Sequence, residues 1–178
     1  MDRGPSFFIQ PMTITLEELL SSRDARAQHQ HHLMTTHPEA TMVCLTVVMP
    51  GNEKRNHNSL VVAHAAVDAL KALLSGHVIH WEERDLPTGY ETYVLTDLEP
   101  YECKRMTCRI EDEHPLGRLF DIDVIAKEGL PISRTEVGHQ PRKCLLCDHE
   151  ARYCMRNFSH TQEEILSYID RLVAEFKN

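Results

Sequence analysis

The chain has 178 residues, 42% of them apolar, and carries 27 acidic against 19 basic side chains for a net charge of −8. At roughly 150 residues per domain that length favours one domain with a real core, and the ordinary composition excludes wholesale disorder. The acidic balance excludes a general nucleic-acid binder, which needs a basic face to displace counterions.

The opening Met1-Asp2-Arg3-Gly4-Pro5 lacks a basic segment followed by an apolar one, so no signal peptide is expected. Thr15 caps a helix running to about residue 33, with Glu17 and Glu18 in its first turn and Leu16, Leu19 and Leu20 on one face. Pro38 blocks its continuation. His29, His31, His32 and His37 crowd this stretch without carboxylate or cysteine company, and read as surface. The β-branched, apolar run 41–49 suits a central strand buried on both faces, with Pro50-Gly51 as the turn that ends it. The uncharged run 40–50 is about half of the roughly 20 residues that span a bilayer, so a soluble, cytoplasmic protein is expected.

Helical spacing of Leu60, Val67, Leu70 and Leu74 predicts a second helix over 59–74, ended by Gly76. Residues 77–81 and 91–98 read as strands joined by a loop containing Pro87 and Gly89. Residues 105–110 and 119–126 read as a hairpin pair around His114-Pro115-Leu116-Gly117. A helix is predicted over 143–157, and another over 161–176 opened by a Thr161…Glu164 capping box. Helices interleaved with antiparallel or mixed strands give an α+β class: a single domain over 1–178, with a mixed sheet and packed helices.

The most informative segment is 117–125, Gly-Arg-Leu-Phe-Asp-Ile-Asp-Val-Ile. Strand alternation puts Phe120, Ile122, Val124 and Ala126 on a plain core face, with Asp121 and Asp123 on the other. Their Cα atoms then lie roughly 6.5–7 Å apart, close enough to share one hard cation such as magnesium. Such an ion offsets their mutual repulsion and holds substrate phosphates. Asp-x-Asp alone also describes a solvated edge strand; the flanking apolar residues favour a buried one. Arg118 at the mouth of the strand suits a phosphate. The pattern resembles the catalytic strand of the nucleotidyltransferase superfold, and Glu91 and Asp97 are candidates for a third acid by strand position.

Six cysteines are too few for a disulfide scaffold and read as reduced thiols. Cys144, Cys147, Cys154 and His160 have the ligand types of a Cys₃His zinc site. Cys147, Ala151, Cys154 and Phe158 also fall on one helical stripe, and the packed-face reading is preferred here over zinc. No matched base supports these thiols as nucleophiles. Arg134, Arg142, Lys143, Arg152 and Arg156 outnumber three acids between residues 134 and 156, a net +2 that leaves −10 for the remainder. Arg134, Arg142, Lys143 and Arg156, with Lys54 after the Pro50-Gly51 turn, are candidate binders of a polyphosphate; each also reads as a solvated charge.

Several pieces together resemble one family. They are Arg23-x-x-Arg26, Pro50-Gly51-x-x-Lys54, Gly117-Arg-Leu-x-Asp-x-Asp-Val124 and Arg142-x-Cys-Leu-Leu-Cys, continuing through Cys154 and Arg156 to His160. In this order they are similar to the citrate lyase holo-acyl-carrier-protein synthases, also called apo-citrate lyase phosphoribosyl-dephospho-CoA transferases. The likeness spans nearly the whole chain, and its cysteine-rich piece is the most specific. Asn157-Phe158-Ser159 depart from the more basic residues expected before His160.

The resemblance implies transfer of the 2′-(5″-triphosphoribosyl)-3′-dephospho-CoA group to a serine of the apo acyl-carrier subunit of citrate lyase, with release of pyrophosphate. It implies Asp121 and Asp123 as metal-holding catalytic residues, with Arg118, Arg142 and Lys143 at the departing pyrophosphate. Two other readings stay open: a nucleotidyltransferase for another nucleotide or protein, and a non-catalytic, zinc-stabilised module that binds a carrier protein.

Overall fold

The computed structural model describes residues 13–127 and 129–177; the opening segment read as lacking a signal peptide lies outside them. Helix α1 (Leu16–Thr36) starts where the sequence places it. The Glu18 amide donates to Thr15 Oγ1 at 3.2 Å and the Thr15 amide to Glu18 Oε2 at 2.7 Å, a reciprocal cap. The helix stops two residues before Pro38. Strand β1 (Thr41–Val47) follows, then α2 (His57–Leu73). Helix α2 begins earlier than the apolar spacing suggests because Asn56 and Ser59 form its capping box, at 2.9 Å each way. Strands β2 (Val78–Leu86) and β3 (Gly89–Thr96) make a tight hairpin, longer than predicted and with a shorter turn.

The segment 105–110 is not a strand. It lies within α3 (Pro100–Glu113), whose first turn is fixed by Glu99 accepting from the amides of Tyr101 and Glu102 at 3.1 and 2.8 Å. Pro100 at the helix start has no amide to leave unpaired there. Strand β4 (Phe120–Ile125) follows a 3-10 turn over Gly117–Leu119. The helix predicted over 143–157 is confined to α4 (Ala151–Asn157). Residues 143–150 instead fold back on themselves, with Cys144 N donating to His149 O at 2.7 Å and Ala151 N to Arg142 O at 2.8 Å. Helix α5 (Gln162–Phe176) carries the predicted Thr161–Glu164 capping box. Among the described residues, no helix is long and apolar enough to cross a membrane.

The four strands pair in the order β2-β3-β1-β4, all antiparallel rather than mixed. One face of the sheet buries Val43, Leu45, Val94, Phe120, Ile122 and Val124 against α2, α3 and α5, and this is the main core. The other face is shared between apolar and polar rows. Met42, Cys44, Tyr93, Leu95 and Ile125 cluster there with Leu33, the one residue of α1 that is buried. His29 also packs on this face, 2.9 Å from Glu82 and edge-on to Tyr93, so it is not the surface histidine expected.

Strand β4 is an edge strand, not the fully buried one that its apolar residues suggest. Its outward backbone groups are met by side chains and a returning loop instead of a fifth strand. Ile122 N donates to Glu111 Oε1 at 3.0 Å, and Ile122 O accepts from buried Lys104 Nζ at 2.9 Å. Phe120 O accepts from Arg142 Nη1 at 2.8 Å, and Val124 O from Ile132 N at 2.8 Å. Unpaired sheet edges are costly and adhesive, and charged side chains commonly cover them.

Gly117 lets α3 and β4 approach this closely. A Cβ there would lie 2.5 Å from Ile110 O and 2.6 Å from Glu111 O, both backbone atoms that cannot swing away. Gly117→Ala is therefore expected to destabilise the fold by about 1–3 kcal/mol, read as a lower urea midpoint at unchanged slope.

Candidate active site

The alternation of β4 sends Asp121 and Asp123 to the face covered by α1, opposite the main core, as predicted. In register, Asp121 lies beside Thr46 and Asp123 beside Cys44, and both aspartates are open to solvent. Asp121 Oδ2 accepts from Thr46 Oγ1 at 3.4 Å, and its Oδ1 is 3.7 Å from Arg142 Nη2. The Asp123 carboxyl is held above the usual carboxylate range, first by partial removal from water and then by the charge of Asp121; Lys104 opposes both. Neighbouring Cys44 is pushed up to about 12 by burial, so it stays a neutral thiol.

Of the two further acids, Glu91 shares this face and this row, on the far side of Thr46. Two strand spacings put its Cα about 10 Å from that of Asp121. Its buried carboxylate is engaged by Arg26 Nε at 2.8 Å and Tyr93 Oη at 2.5 Å. Asp97 lies beyond the end of β3, paired with His77 at 2.8 Å. Neither completes a three-acid site with the pair on β4.

Beside the aspartates, Arg118, Arg134, Arg142 and Lys143 line one cleft of about 320 Å³, together with Glu111 and Asp112. Glu111, 3% exposed, organises it. One carboxylate oxygen takes Arg142 Nη2 at 2.6 Å and the Ile122 amide; the other takes Arg134 Nη1 at 2.5 Å. Arg134 also spends Nη2 on Asp112 at 2.5 Å, so it holds the cleft together more than it offers a free charge. Arg118 donates to the carbonyls of Lys143 (3.0 Å) and Cys144, tying the returning loop to the start of β4. Lys143 is exposed, 3.6 Å from Asp148. Arg142 links the two halves of the site, since one fork spans Glu111, the β4 edge and Asp121.

Lys54 and Arg156 lie outside this cleft. Lys54 donates to Met49 O at 2.5 Å, and its pKa is lowered by burial and then by Arg23, which marks a second basic spot beneath α1. Arg156 sits in the last turn of α4. Glu111 and Lys104 are not legible as site residues in the sequence, because they flank the segment 105–110 that reads as a strand, and the helix α3 that carries both is not anticipated there.

The cysteine cluster corrects another expectation. Cys147 precedes α4 and Phe158 is 89% exposed, so the 147–158 stripe is not a packed helix face. Instead one ligand atom from each of Cys144, Cys147, Cys154 and His160 converges within 4.8 Å of the others. Among the described residues, no other set of three or more histidine, cysteine or acidic side chains does so.

Paired carboxylates beside an arginine-lined cleft are groups able to hold a divalent cation and to bind phosphate oxygens. Residues 14–176 match the family described as "Apo-citrate lyase phosphoribosyl-dephospho-CoA transferase", and the chain belongs to that family. It is 37% identical over 169 residues to the "Probable apo-citrate lyase phosphoribosyl-dephospho-CoA transferase" of Streptococcus pyogenes serotype M3, covering 93% of this chain and 88% of that one. It is 33% identical over 169 residues to the "Apo-citrate lyase phosphoribosyl-dephospho-CoA transferase" of Escherichia coli O1:K1 / APEC, covering 93% and 92%.

Proposed function

We propose that this transferase attaches the 2′-(5″-triphosphoribosyl)-3′-dephospho-CoA group to a serine of the apo acyl-carrier subunit of citrate lyase. Membership of the family supports the transferred group and its acceptor. The observation that carries the chemistry is the juxtaposition of Asp121 with the Arg142 fork, 3.7 Å apart at the lip of the basic cleft.

In this reading the serine oxygen attacks the α-phosphorus of the donor and the bond to the β-phosphate breaks. A phosphodiester forms, pyrophosphate departs and the hydroxyl proton is released. Arg142, with Arg118 and Lys143 at the same cleft, binds the departing pyrophosphate, for which a guanidinium fork is the better partner. Asp121 and Asp123 would hold magnesium: they are hard oxygen donors on one face, and two carboxylates plus phosphate oxygens are its usual company. The ion supplies charge neutralisation at the reacting phosphate. Reduced thiols and a soluble donor fit a cytoplasmic reaction.

The test is mass spectrometry of the purified apo carrier after incubation with this protein, the donor and magnesium. A gain equal to the phosphoribosyl-dephospho-CoA group is expected, and an unchanged carrier mass overturns the reading. Arg142→Lys keeps the charge but loses the fork, so transfer should fall about 10–100-fold, as for a lost charge-assisted hydrogen bond. Initial rates against donor concentration check this, with a thermal melt to separate it from unfolding.

A further inference from the structure

We propose that Cys144, Cys147, Cys154 and His160 bind one zinc ion in a closed, four-coordinate structural site. Zinc holds thiolate sulfur at about 2.3 Å and imidazole nitrogen at about 2.0 Å in a tetrahedron, so the ligand atoms of a Cys₃His set sit about 3.5–3.8 Å apart. Here Cys147 Sγ lies 3.4 Å from Cys154 Sγ and 3.4 Å from His160 Nε2, and the full set fits within 4.8 Å. An iron–sulfur cluster would need its ligands spread around a larger core. Three soft sulfurs and an imidazole select zinc over magnesium.

The chain is folded to deliver these ligands. The reverse turn over 144–149, closed by Cys144 N to His149 O at 2.7 Å, presents Cys144 and Cys147 together. The Leu146 amide donates to Cys144 Sγ at 3.5 Å, the outer-shell bond that a coordinated sulfur accepts. Helix α4 contributes Cys154, and the left-handed Phe158 (φ 48°) turns the chain so that His160 comes back to Cys147. Cys144 and Cys154 are buried, while Cys147 and His160 are partly open, which leaves a path for the ion.

Binding replaces the three thiol protons, which are released, and forms three Zn–S bonds and one Zn–N bond. The site does not depend on the transfer reaction, but it borders it. Arg142 and Lys143 precede the first ligand directly, and Arg118 binds the carbonyls of Lys143 and Cys144. The ion would therefore pin the loop that carries the arginine fork.

The experiment is elemental analysis of untagged, full-length protein purified under reducing conditions, followed by exchange to Co²⁺. One zinc per chain is expected, with cobalt giving the intense visible bands of a tetrahedral ion and near-ultraviolet thiolate charge transfer. Cys147→Ser and His160→Ala should lose most of the metal, and His149→Ala, whose ring lies 3.6 Å from Cys147 Sγ, should keep it. If the ligand variants do not fold, the wild type still decides. Stripping zinc with a chelator should lower the melting temperature, and zinc but not magnesium should restore it. Less than a tenth of an equivalent of zinc or cobalt after reconstitution overturns the proposal. So does cobalt without thiolate charge transfer, which would place it on the 29–37 histidines, or a metal-free Cys147–Cys154 disulfide in anaerobically isolated protein.

Discussion

Asp121→Asn and Asp123→Asn are each expected to reduce prosthetic-group transfer by about 10³-fold or more, the loss of several kcal/mol of transition-state charge stabilisation. The fold should not suffer. Asp121 makes one long hydrogen bond, to Thr46 at 3.4 Å, which an asparagine oxygen can accept equally, and its solvent-exposed pairing with Arg142 at 3.7 Å contributes little to stability. Asp123 is raised partly by the charge of Asp121, so replacing either by a neutral amide removes repulsion. The melting temperature should stay level or rise while activity collapses. That pairing of signs separates the variants from ordinary damage to the strand. Single-turnover mass spectrometry of the carrier, beside thermal melts, reads both. A wild-type rate in either variant would remove the carboxylates from the mechanism.

The largest loss of stability is expected at Glu111. Its buried carboxylate faces two arginines at 2.5 and 2.6 Å and the Ile122 amide at 3.0 Å. Glu111→Ala strands all three partners. Breaking a buried charge pair from one side costs about 3–5 kcal/mol, a large share of the 5–15 kcal/mol typical of a domain. Glu111→Gln keeps an acceptor for the amide and loses only the charge, so about 1.5–3 kcal/mol is expected. Urea unfolding should rank wild type above Gln above Ala. Transfer should fall in the Gln variant too, because Arg142 loses the partner that aims it. If both variants unfolded within 0.5 kcal/mol of wild type, Glu111 would not be the organising group described above.

Local signals carried much of this structure. The caps at Thr15 and Thr161 and the β-branched run of β1 each sit within a few residues of the element they define. The same holds for the Asp121/Asp123 alternation on β4, so the face of the pair could be read directly. Helix α3 failed for a local reason. Its deciding cap, Glu99-Pro100, lies upstream of the stretch that looked like a strand, and buried Lys104, Thr107 and Glu111 blur its apolar periodicity. The position of β4 at the sheet edge was illegible because its outer backbone groups are met by residues 8 to 22 positions away. The cysteine cluster misled by coincidence: spacings of four and three fit a helix, but a turn occupies the first half of that segment. The basic candidates were identifiable as charges, but not as one cleft, since only the fold brings Arg118 to Lys143.

The covered rim of β4 also bears on how this molecule avoids its own copies. Strand-to-strand growth needs a row of vacant amides and carbonyls, and the carbonyls of Phe120, Ile122 and Val124 and the amides of Phe120 and Ile122 are already committed. Self-assembly by sheet extension is thereby confined to the opposite rim, β2, where Glu82, Glu83, Arg84 and Asp85 stand in succession. The strand that holds the aspartate pair is thus kept from templating fibrils by the charges that shape the adjoining cleft, so a variant that frees those charges would expose an aggregation surface as well as weaken the enzyme.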